Sequence, residues 1–558
     1  MNAPSSRTAV AESGGLAEAL AEALPRLCAP GTPVEPAVVE LIGALARALE
    51  GGALEVDFNA AVPDGLAADH WPETYRQAAH GSSLVARAPA LADAPEAPLV
   101  LAGDRLRWRR WHQQLESTLD LLVARAQGST APPPAGAAPS AGEGLDAQQQ
   151  RAVTAARCHG LLLLSGGPGT GKTSTVVQLL ADQLADRPTL RVHLAAPTGK
   201  AAARLREALE RCCSTLPAAL AARVLAAPCS TLHRLLECQG ERFGRHRGRP
   251  LELDLLVVDE LSMVDLPLMA ALLDALPAAC RLVLVGDPDQ LAPVGPGAVL
   301  QELLQPDRRA QLGPAAVELR TTYRYGGAIA AITAELRRAG PISLAVLEPK
   351  LRPLDAQANL QWLQAAPEQP PPLALAALIE HQQRLAALAS ALPMTGEAQE
   401  GEAQQSEAQV SEAMAALLTA LEACVLLTPR RQGRWGVEGL HRQLLGDAAA
   451  RPCSHWPLGT PVLNRRNLPD HGLANGDVGV LVGPRQARRV LFADGRQLHP
   501  ALLGQAEPAL ALTVHKAQGS QYGTVWLLLP PGRDWDARLL YTGLSRARER
   551  AWLVTPCR

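Results

Sequence analysis

The sequence predicts an α/β fold with two parallel-sheet units, the second carrying a small β insertion, behind a mainly helical N-terminal region. Three observations carry this. From Leu145 to about Arg309, short β-branched or Leu-rich runs alternate with helical stretches, with strand candidates at Leu161–Ser165, Arg191–Ala196, Leu255–Val258 and Arg281–Val285. Continuous apolar runs alternating with helices indicate a parallel sheet covered on both faces. The same alternation returns at Cys424–Thr428, Leu510–Val514, Thr524–Leu529 and Ala551–Val554. Between these, Gly459–Pro500 reads as short strands separated by Asn-Gly and Asp-Gly turns, the pattern of an antiparallel β unit.

In chain order, residues 1–126 are Ala/Leu-rich and helical in pattern. They close on "PLVLAGDRLRWRRWHQQLESTLDLL", a short hairpin leading into an amphipathic helix. Residues 127–144 are rich in Pro, Gly, Ala and Ser without periodicity and read as a linker. The first α/β unit is expected over 145–312 and the second over 313–558. Within the second, residues 396–413 repeat Glu-Ala-Gln at a spacing that matches neither helix nor strand packing, so a mobile acidic surface insert is expected there. The β insertion, about 451–508, reads as a small barrel.

The 558 residues, 47% of them hydrophobic, suffice for several cores. Net charge is -2, so any nucleic-acid site is a local groove. The ten Cys form no C-x-x-C pairs, which fits reduced thiols in a cytoplasmic protein. The N-terminal stretch lacks the apolar core of a signal peptide, and no apolar run is long enough to span a bilayer, so no membrane partner is expected. Of 53 Lys and Arg, only Lys172, Lys200, Lys350 and Lys516 are Lys. Such a bias keeps the compact ammonium for positions that need it.

"LLLLSGGPGTGKTSTVVQLL" is the most informative stretch. Gly166-Gly167-Pro168-Gly169-Thr170-Gly171-Lys172-Thr173, with Ser174 following, fits G-x-x-x-x-G-K-[ST] between a strand and a helix. The glycines let backbone N–H groups approach phosphate oxygens, and the helix N-terminus adds a positive dipole. Lys172 is expected to bridge the β- and γ-phosphates, and the Thr173 hydroxyl to hold Mg²⁺. In "LLVVDELSMVD" an apolar strand delivers Asp259 and Glu260 to the edge where open parallel sheets bind ligands. Asp259 is a second candidate Mg²⁺ group, and Glu260 a candidate base for the attacking water. "LVLVGDPDQLAPVGPG" brings Gln290 to the same edge as a sensor of the γ-phosphate. Arg324 in "TTYRYGG" and Arg546 in "YTGLSRARER" are candidate arginine fingers if the second unit faces the first.

The order of "LDAQQQRAV", the Gly166–Thr173 loop, "APTGKAAARL", "STLHRLL", "VVDELSMVD", "GDPDQLAPV", "TTYRYGG", "TVHKAQGS" and "LYTGLSRARER" resembles that of superfamily 1 helicases. "GRWGVEGLHRQL", "GLANGDVGVL" and "PLVLAGDRLRWRRW" narrow the resemblance to the RecD family, the alpha chains of RecBCD complexes (exodeoxyribonuclease V). The resemblance implies two RecA-like domains with ATP and Mg²⁺ between them, an SH3-like insertion, and single-stranded DNA lying across both domains. It also implies 5′-to-3′ unwinding of duplex ends, for double-strand-break repair by homologous recombination and for degradation of linear DNA. By the same resemblance Gln149 reads adenine, and Thr198, Lys200, Thr231, His233, Thr513 and His515 face DNA. RecB-like and RecC-like subunits are the implied partners, with residues 1–126, including Trp71, Trp108 and Trp111, docking on the RecC-like chain. The nuclease is implied to reside in another subunit.

Two positions depart from the family pattern: Gln521, where Glu is usual beside the nucleotide sugar, and His441, where Asn is usual. Rival readings are a stand-alone RecD-like helicase, a nucleotide-gated structural subunit and a nuclease. The presence of Lys172, Glu260 and Arg546 speaks against the second, and the lack of a carboxylate–Lys constellation against the third. On this reading a chain starting near Ala141 is expected to retain DNA-stimulated ATP hydrolysis.

Overall fold

Residues 7–128, 144–240, 242–323, 326–337, 344–355, 357–392, 403–531 and 535–557 are described by the computed structural model. Helix Pro36–Glu50 starts on a proline whose missing N–H costs nothing at that position. It buries Val38, Leu41, Ile42 and Leu45 along one stripe. The stripe packs on Val56, Leu84, Leu99, Leu101 and Leu106. Those residues come from or adjoin a sheet of β1 (Glu55–Asp57), β2 (Val85–Arg87), β3 (Leu99–Ala102) and β4 (Arg105–Trp108), ordered β1-β4-β3-β2. The β3–β4 hairpin agrees with the sequence reading. The full four-stranded sheet was not expected, although helices still make up most of the region.

The amphipathic helix after the hairpin, Arg109–Gln127, leaves that core. Its Leu115, Leu119, Leu122 and Val123 share one cluster with Leu161, Leu163, Leu256, Val258, Leu282 and Leu284 of the next sheet. Arg125 donates to the carbonyls of Cys280 at 2.9 Å and of Leu276 and Pro277 at 3.0 Å. The N-terminal region thus supplies one of the layers that cover the first parallel sheet. This packing argues against the expectation that hydrolysis survives removal of the first 140 residues.

That sheet comprises β5 (Leu161–Gly166), β6 (Val192–Ala196), β7 (Cys229–Thr231), β8 (Leu255–Val258), β9 (Arg281–Gly286) and β10 (Ala316–Leu319), ordered β10-β5-β9-β8-β6-β7. Every pairing is parallel. Side chains alternate between its faces. Leu161 and Leu163 face the N-terminal helix, whereas Leu162 and Leu164 face Val176, Leu179 and Leu180 of helix Lys172–Asp186.

The second parallel sheet begins with β11 (Leu360–Ala365) and β12 (Cys424–Thr428). The chain then leaves it for β13 (Pro461–Asn464), β14 (Val478–Val482), β15 (Arg489–Phe492), β16 (Gln497–Leu498) and β17 (Ala506–Pro508). It returns as β18 (Ala511–Thr513), β19 (Tyr522–Leu528) and β20 (Ala547–Pro556), giving the order β11-β20-β19-β12-β18. The excursion is an antiparallel sheet ordered β16-β15-β14-β13-β17. One face of it packs on helices Pro372–Ser390 and Ala403–Leu421 through Leu385, Leu417, Val480 and Leu491.

The last helix corrects the expected irregular insert. Residues 403–413 are its first turns, and 396–402 lie outside the described residues. Ala, Glu and Gln are strong helix formers, and the buried Leu417 and Ala420 further along anchor the helix. Among the described residues no helix is long and apolar enough to cross a membrane.

Candidate active site

β5, buried throughout, ends at Gly166, one strand in from the β10 edge of the first parallel sheet, and helix Lys172–Asp186 begins six residues later. The turn between them needs bare backbone. Gly169 and Gly171 sit at φ +74° and +84°, where only glycine is unstrained. A Cβ at Gly166 would lie 2.8 Å from the Leu319 carbonyl. The Lys172 ammonium donates to the carbonyls of Gly166 at 2.7 Å and Gly167 at 2.9 Å. Thr170 Oγ1 donates to Gly167 at 2.8 Å. Thr173 is half-buried, and the exposed Ser174 has its hydroxyl 3.6 Å from Cys212 Sγ. Pro168 lies between them and the strand, half-buried. Gln149 is buried and closes a capping box with Asp146, and its amide stands over Gly171, 2.4 Å from where a Cβ would be.

Asp259 and Glu260 follow β8, two strands away. Burial, reinforced by the Glu260 charge, pushes the Asp259 carboxyl up to about 6, with the Lys172 ammonium opposing. Glu260 is one of two non-glycine residues with positive φ among those described, at φ 54° and ψ 45°. A left-handed glutamate costs on the order of 1–3 kcal/mol, a cost typical of functional turns.

β9 carries the chain to Asp287 and Gln290, both buried. Here the second unit meets the first. Arg546 donates to Gln290 Oε1, and also to the carbonyls of Thr542 at 3.2 Å and Ser520 at 3.4 Å. Tyr541 donates to Asp287 at 2.8 Å, and the Leu291 N–H donates to Thr542 Oγ1 at 2.9 Å. Helix Ala537–Leu544 is therefore docked side chain by side chain on the segment after β9. Arg324 lies outside the described residues. Its neighbour Tyr323 donates its N–H to Gly169 at 2.8 Å and its hydroxyl to Asp146 at 2.8 Å. Sequence reasoning missed Tyr541, Thr542 and Asp287, although all three stand inside the stretches quoted for Arg546 and Gln290. It also missed Arg337, which no sequence pattern distinguishes.

Of the residues read as DNA-facing, the three threonines fall at or just after strand ends, and Lys200, His233 and His515 in the turns and helices that follow. Thr198 and Thr231 follow or end the paired strands β6 and β7 and cap the next helices, accepting from Ala201 at 3.2 Å and Arg234 at 3.1 Å. Thr513 ends β18 and accepts from the Lys516 N–H at 3.3 Å. A hydroxyl that accepts still has its own O–H to donate. His233 is exposed, while His515 is half-buried and its imidazole is lowered by desolvation.

The four lysines are all engaged. Lys200 lies 5.3 Å from the centre of the Tyr522 ring, bridging the two parallel-sheet units, and Lys516 pairs with Glu507 at 2.8 Å. Lys350 pairs with Glu335 at 2.8 Å, and Lys172 is in the loop. The Gln521 carbonyl accepts from Arg204 and Arg548, both at 3.0 Å. His441 is buried, and its Nε2 accepts from the Ala511 N–H at 3.1 Å.

In the segment 239–250, expected to part strands, Gln239 bridges Arg242 and His246 bridges Arg249, with Arg245 and Arg249 on Glu237 at 2.8 and 2.5 Å. Trp71, Trp108 and Trp111 all pack partly into the chain's own cores, which accounts for these aromatics without an interface.

A family model for an AAA domain matches residues 149–296, and one for a UvrD-like helicase C-terminal domain matches residues 508–554. The RecBCD enzyme subunit RecD of Mycolicibacterium smegmatis is 36% identical over 549 residues, 93% of this chain and 89% of that protein. The ATP-dependent RecD2 DNA helicase of Deinococcus radiodurans is 31% identical over 440 residues, 75% of this chain and 51% of that protein. A crystal structure of Bacteroides Pif1 bound to ssDNA aligns with a TM-score of 0.37 at 16% identity, covering 74% of this chain and 92% of that one.

Proposed function

The chain belongs to the RecD family of RecBCD enzyme subunits, and from that premise we propose that it is the ATP-driven 5′-to-3′ DNA helicase subunit of such a complex, with RecB-like and RecC-like partners. The observation that carries a motor reading is that groups suited to hydrolysis come from both parallel sheets and touch, Gln290 from one and Arg546 from the other. A phosphate cradle whose walls belong to two units turns a change at the nucleotide into a change between units. The M. smegmatis protein matches over 89% of its length and the D. radiodurans helicase over 51% of its own, which favours the subunit over the stand-alone reading.

In this mechanism Gln149 meets the base and Gly166–Thr173, with Ser174, cradle the phosphates. Lys172 neutralises the β- and γ-oxygens, and Glu260 takes the proton of the attacking water. The Thr173 hydroxyl and the Asp259 carboxylate are hard oxygen donors of the kind Mg²⁺ takes, and they fit that ion. When bound, the ion draws charge from the phosphate oxygens. Arg546 and Arg324 stabilise the charge that develops on the γ-phosphate, and Gln290 reports its loss. Thr198, Lys200, Thr231, His233, Thr513 and His515 contact the DNA backbone without regard to sequence, as donors at and just after strand ends can.

The two parallel sheets are read as RecA-like motor domains; because β10 (Ala316–Leu319) pairs with β5, the expected boundary at 312/313 moves to after Leu319, and the antiparallel excursion is read as an SH3-like insertion. The first 126 residues are read as the partner-docking part, and the working compartment as the cytoplasm.

Co-expression with RecB- and RecC-like chains, followed by unwinding of duplexes bearing a single 5′ or 3′ tail, tests this. Lys172→Gln should abolish the ATP hydrolysis that this chain contributes, and Glu260→Gln should retain nucleotide binding with far slower turnover. Near-normal turnover in either variant overturns the site assignment, and failure to assemble overturns the subunit reading.

A further inference from the structure

Arg337 closes helix Gly327–Leu336 of the second unit, yet its guanidinium lies against the first. Its Nε donates to Asp289 Oδ2 at 2.5 Å, and its NH2 is 3.8 Å from Glu318 Oε1. Asp289 follows β9 and Glu318 stands in β10, the strands on either side of β5. The remaining nitrogen, NH1, reaches the phosphate loop. A Cβ added to Gly167 would lie 3.4 Å from it and 3.1 Å from the Tyr541 hydroxyl. The Gly167 carbonyl also receives the Lys172 ammonium, and that ammonium reaches the β- and γ-phosphates in such loops. Arg337 therefore stands at the γ end of the cradle, where a planar guanidinium suits bidentate contact with phosphate.

Its present partner is itself strained by charge. Burial pushes the Asp289 carboxyl up, the neighbouring Asp287 carboxylate adds to the push, and Arg337 holds it down. A γ-phosphate beside Gly167 would compete with Asp289 for the same guanidinium and repel the carboxylate.

Resting on the nucleotide reading above, we propose that Arg337 is a third arginine of the cleft, which binds the terminal phosphate of ATP and leaves Asp289 to do so. Asp289 is bonded in sequence to Gln290, the partner of Arg546. The exchange of Arg337 between carboxylate and phosphate thus tells the inter-unit contact whether the third phosphate is present.

The full-length chain carries the test, by equilibrium binding of ADP and of a non-hydrolysable ATP analogue, with ssDNA-stimulated turnover alongside. Arg337→Ala should weaken the analogue by about tenfold or more and raise the KM for ATP, with ADP binding unchanged. Arg337→Lys should recover part of the loss. Asp289→Asn should tighten the analogue and leave ADP alone, because it frees the guanidinium. If Arg337→Ala weakens ADP and the analogue equally, Arg337 is a brace between units, and the proposal falls. It falls too if neither ligand is affected, or if Asp289→Asn weakens the analogue. Should Arg337→Ala fail to fold, the Lys and Asp289→Asn variants decide alone. Lys172→Gln separates the two levels: if it binds nucleotide normally, the nucleotide reading itself is wrong. If it is impaired while Arg337→Ala is not, only the role of Arg337 is.

Discussion

A chain that starts at residue 141 should not fold, whereas one that starts at Arg109 should. The first deletion removes helix Arg109–Gln127, and with it Leu115, Leu119, Leu122 and Val123, which are 1%, 2%, 0% and 8% exposed. Each buried aliphatic side chain of this size contributes about 1.5–3 kcal/mol, so the four together contribute roughly 6–12 kcal/mol. The bonds from Arg125 to the carbonyls of Leu276, Pro277 and Cys280 go as well, leaving those acceptors at the end of helix Leu266–Ala275 and before β9 without it. Whole domains are stable by only about 5–15 kcal/mol. The second deletion keeps the helix; besides the preceding sheet and its own core it removes peripheral contacts, Leu49 and Leu54 at the rim of the shared cluster, the bond from the Gly297 N–H to the Gly52 carbonyl and the pairs of Arg105 and Arg107 with Glu302. Thermal unfolding by circular dichroism, with DNA-stimulated ATP hydrolysis at 25 °C, compares the two. The chain from Arg109 should melt cooperatively and turn over ATP, and the chain from 141 should aggregate or lack a transition. A cooperative melt and undiminished turnover from the shorter chain would mean that the helix only leans on the sheet.

Three further outcomes are expected. Arg546→Ala should lower turnover by roughly 10³-fold or more with little change in nucleotide affinity, measured by steady-state ATPase; a smaller effect on turnover than on affinity would make it a binding residue. Replacing Gly240–Gly248 with a short Gly/Ser linker should preserve ssDNA-stimulated ATPase and abolish strand separation, and unwinding at the parent rate would reduce that segment to a surface loop. His441 is held down to about 4 by burial, from an ordinary 6.5. The unfolded chain therefore takes up that proton first, and the stability tied to the neutral ring is complete above about pH 6.5 and lost as pH falls toward 4, by up to roughly 3 kcal/mol. His441→Asn should flatten this acid loss in urea midpoints compared at pH 7 and 5, and an unchanged slope would exonerate the group.

The central strands of both parallel sheets were legible because a strand buried on both faces must be apolar throughout, as Leu161–Leu164 and Leu255–Val258 are; the edge strands β7, β10 and β11, only partly buried, were missed. The phosphate loop was legible because its chemistry is local, set by glycines and a Lys-Thr pair within eight positions. The N-terminal sheet was not, since β1 and β2 are three residues each, too short for alternation to register. The helix over 403–413 hid behind a five-residue repeat, and what fixes it is the apolar Leu417 and Ala420 beyond. Tyr541 and Arg337 reach the loop only because separate units close on it. Nothing in the neighbourhood of Arg337 in sequence sets it apart from the many arginines of this chain.

The scarcity of lysine makes the chain a self-selecting chemical probe. A reagent that acylates side-chain amines meets an arginine-covered surface that it cannot modify, and four targets only. Lys172 rests on the Gly166 and Gly167 carbonyls, so its acylation by mass spectrometry reads occupancy of the loop directly. Lys200, stacked on Tyr522, becomes more reactive when the two parallel-sheet units part, provided the labelling is done without DNA. Lys350 and Lys516, paired with Glu335 and Glu507, supply internal references in the same digest. One labelling experiment can therefore time nucleotide capture against movement between the units, with almost no background to subtract.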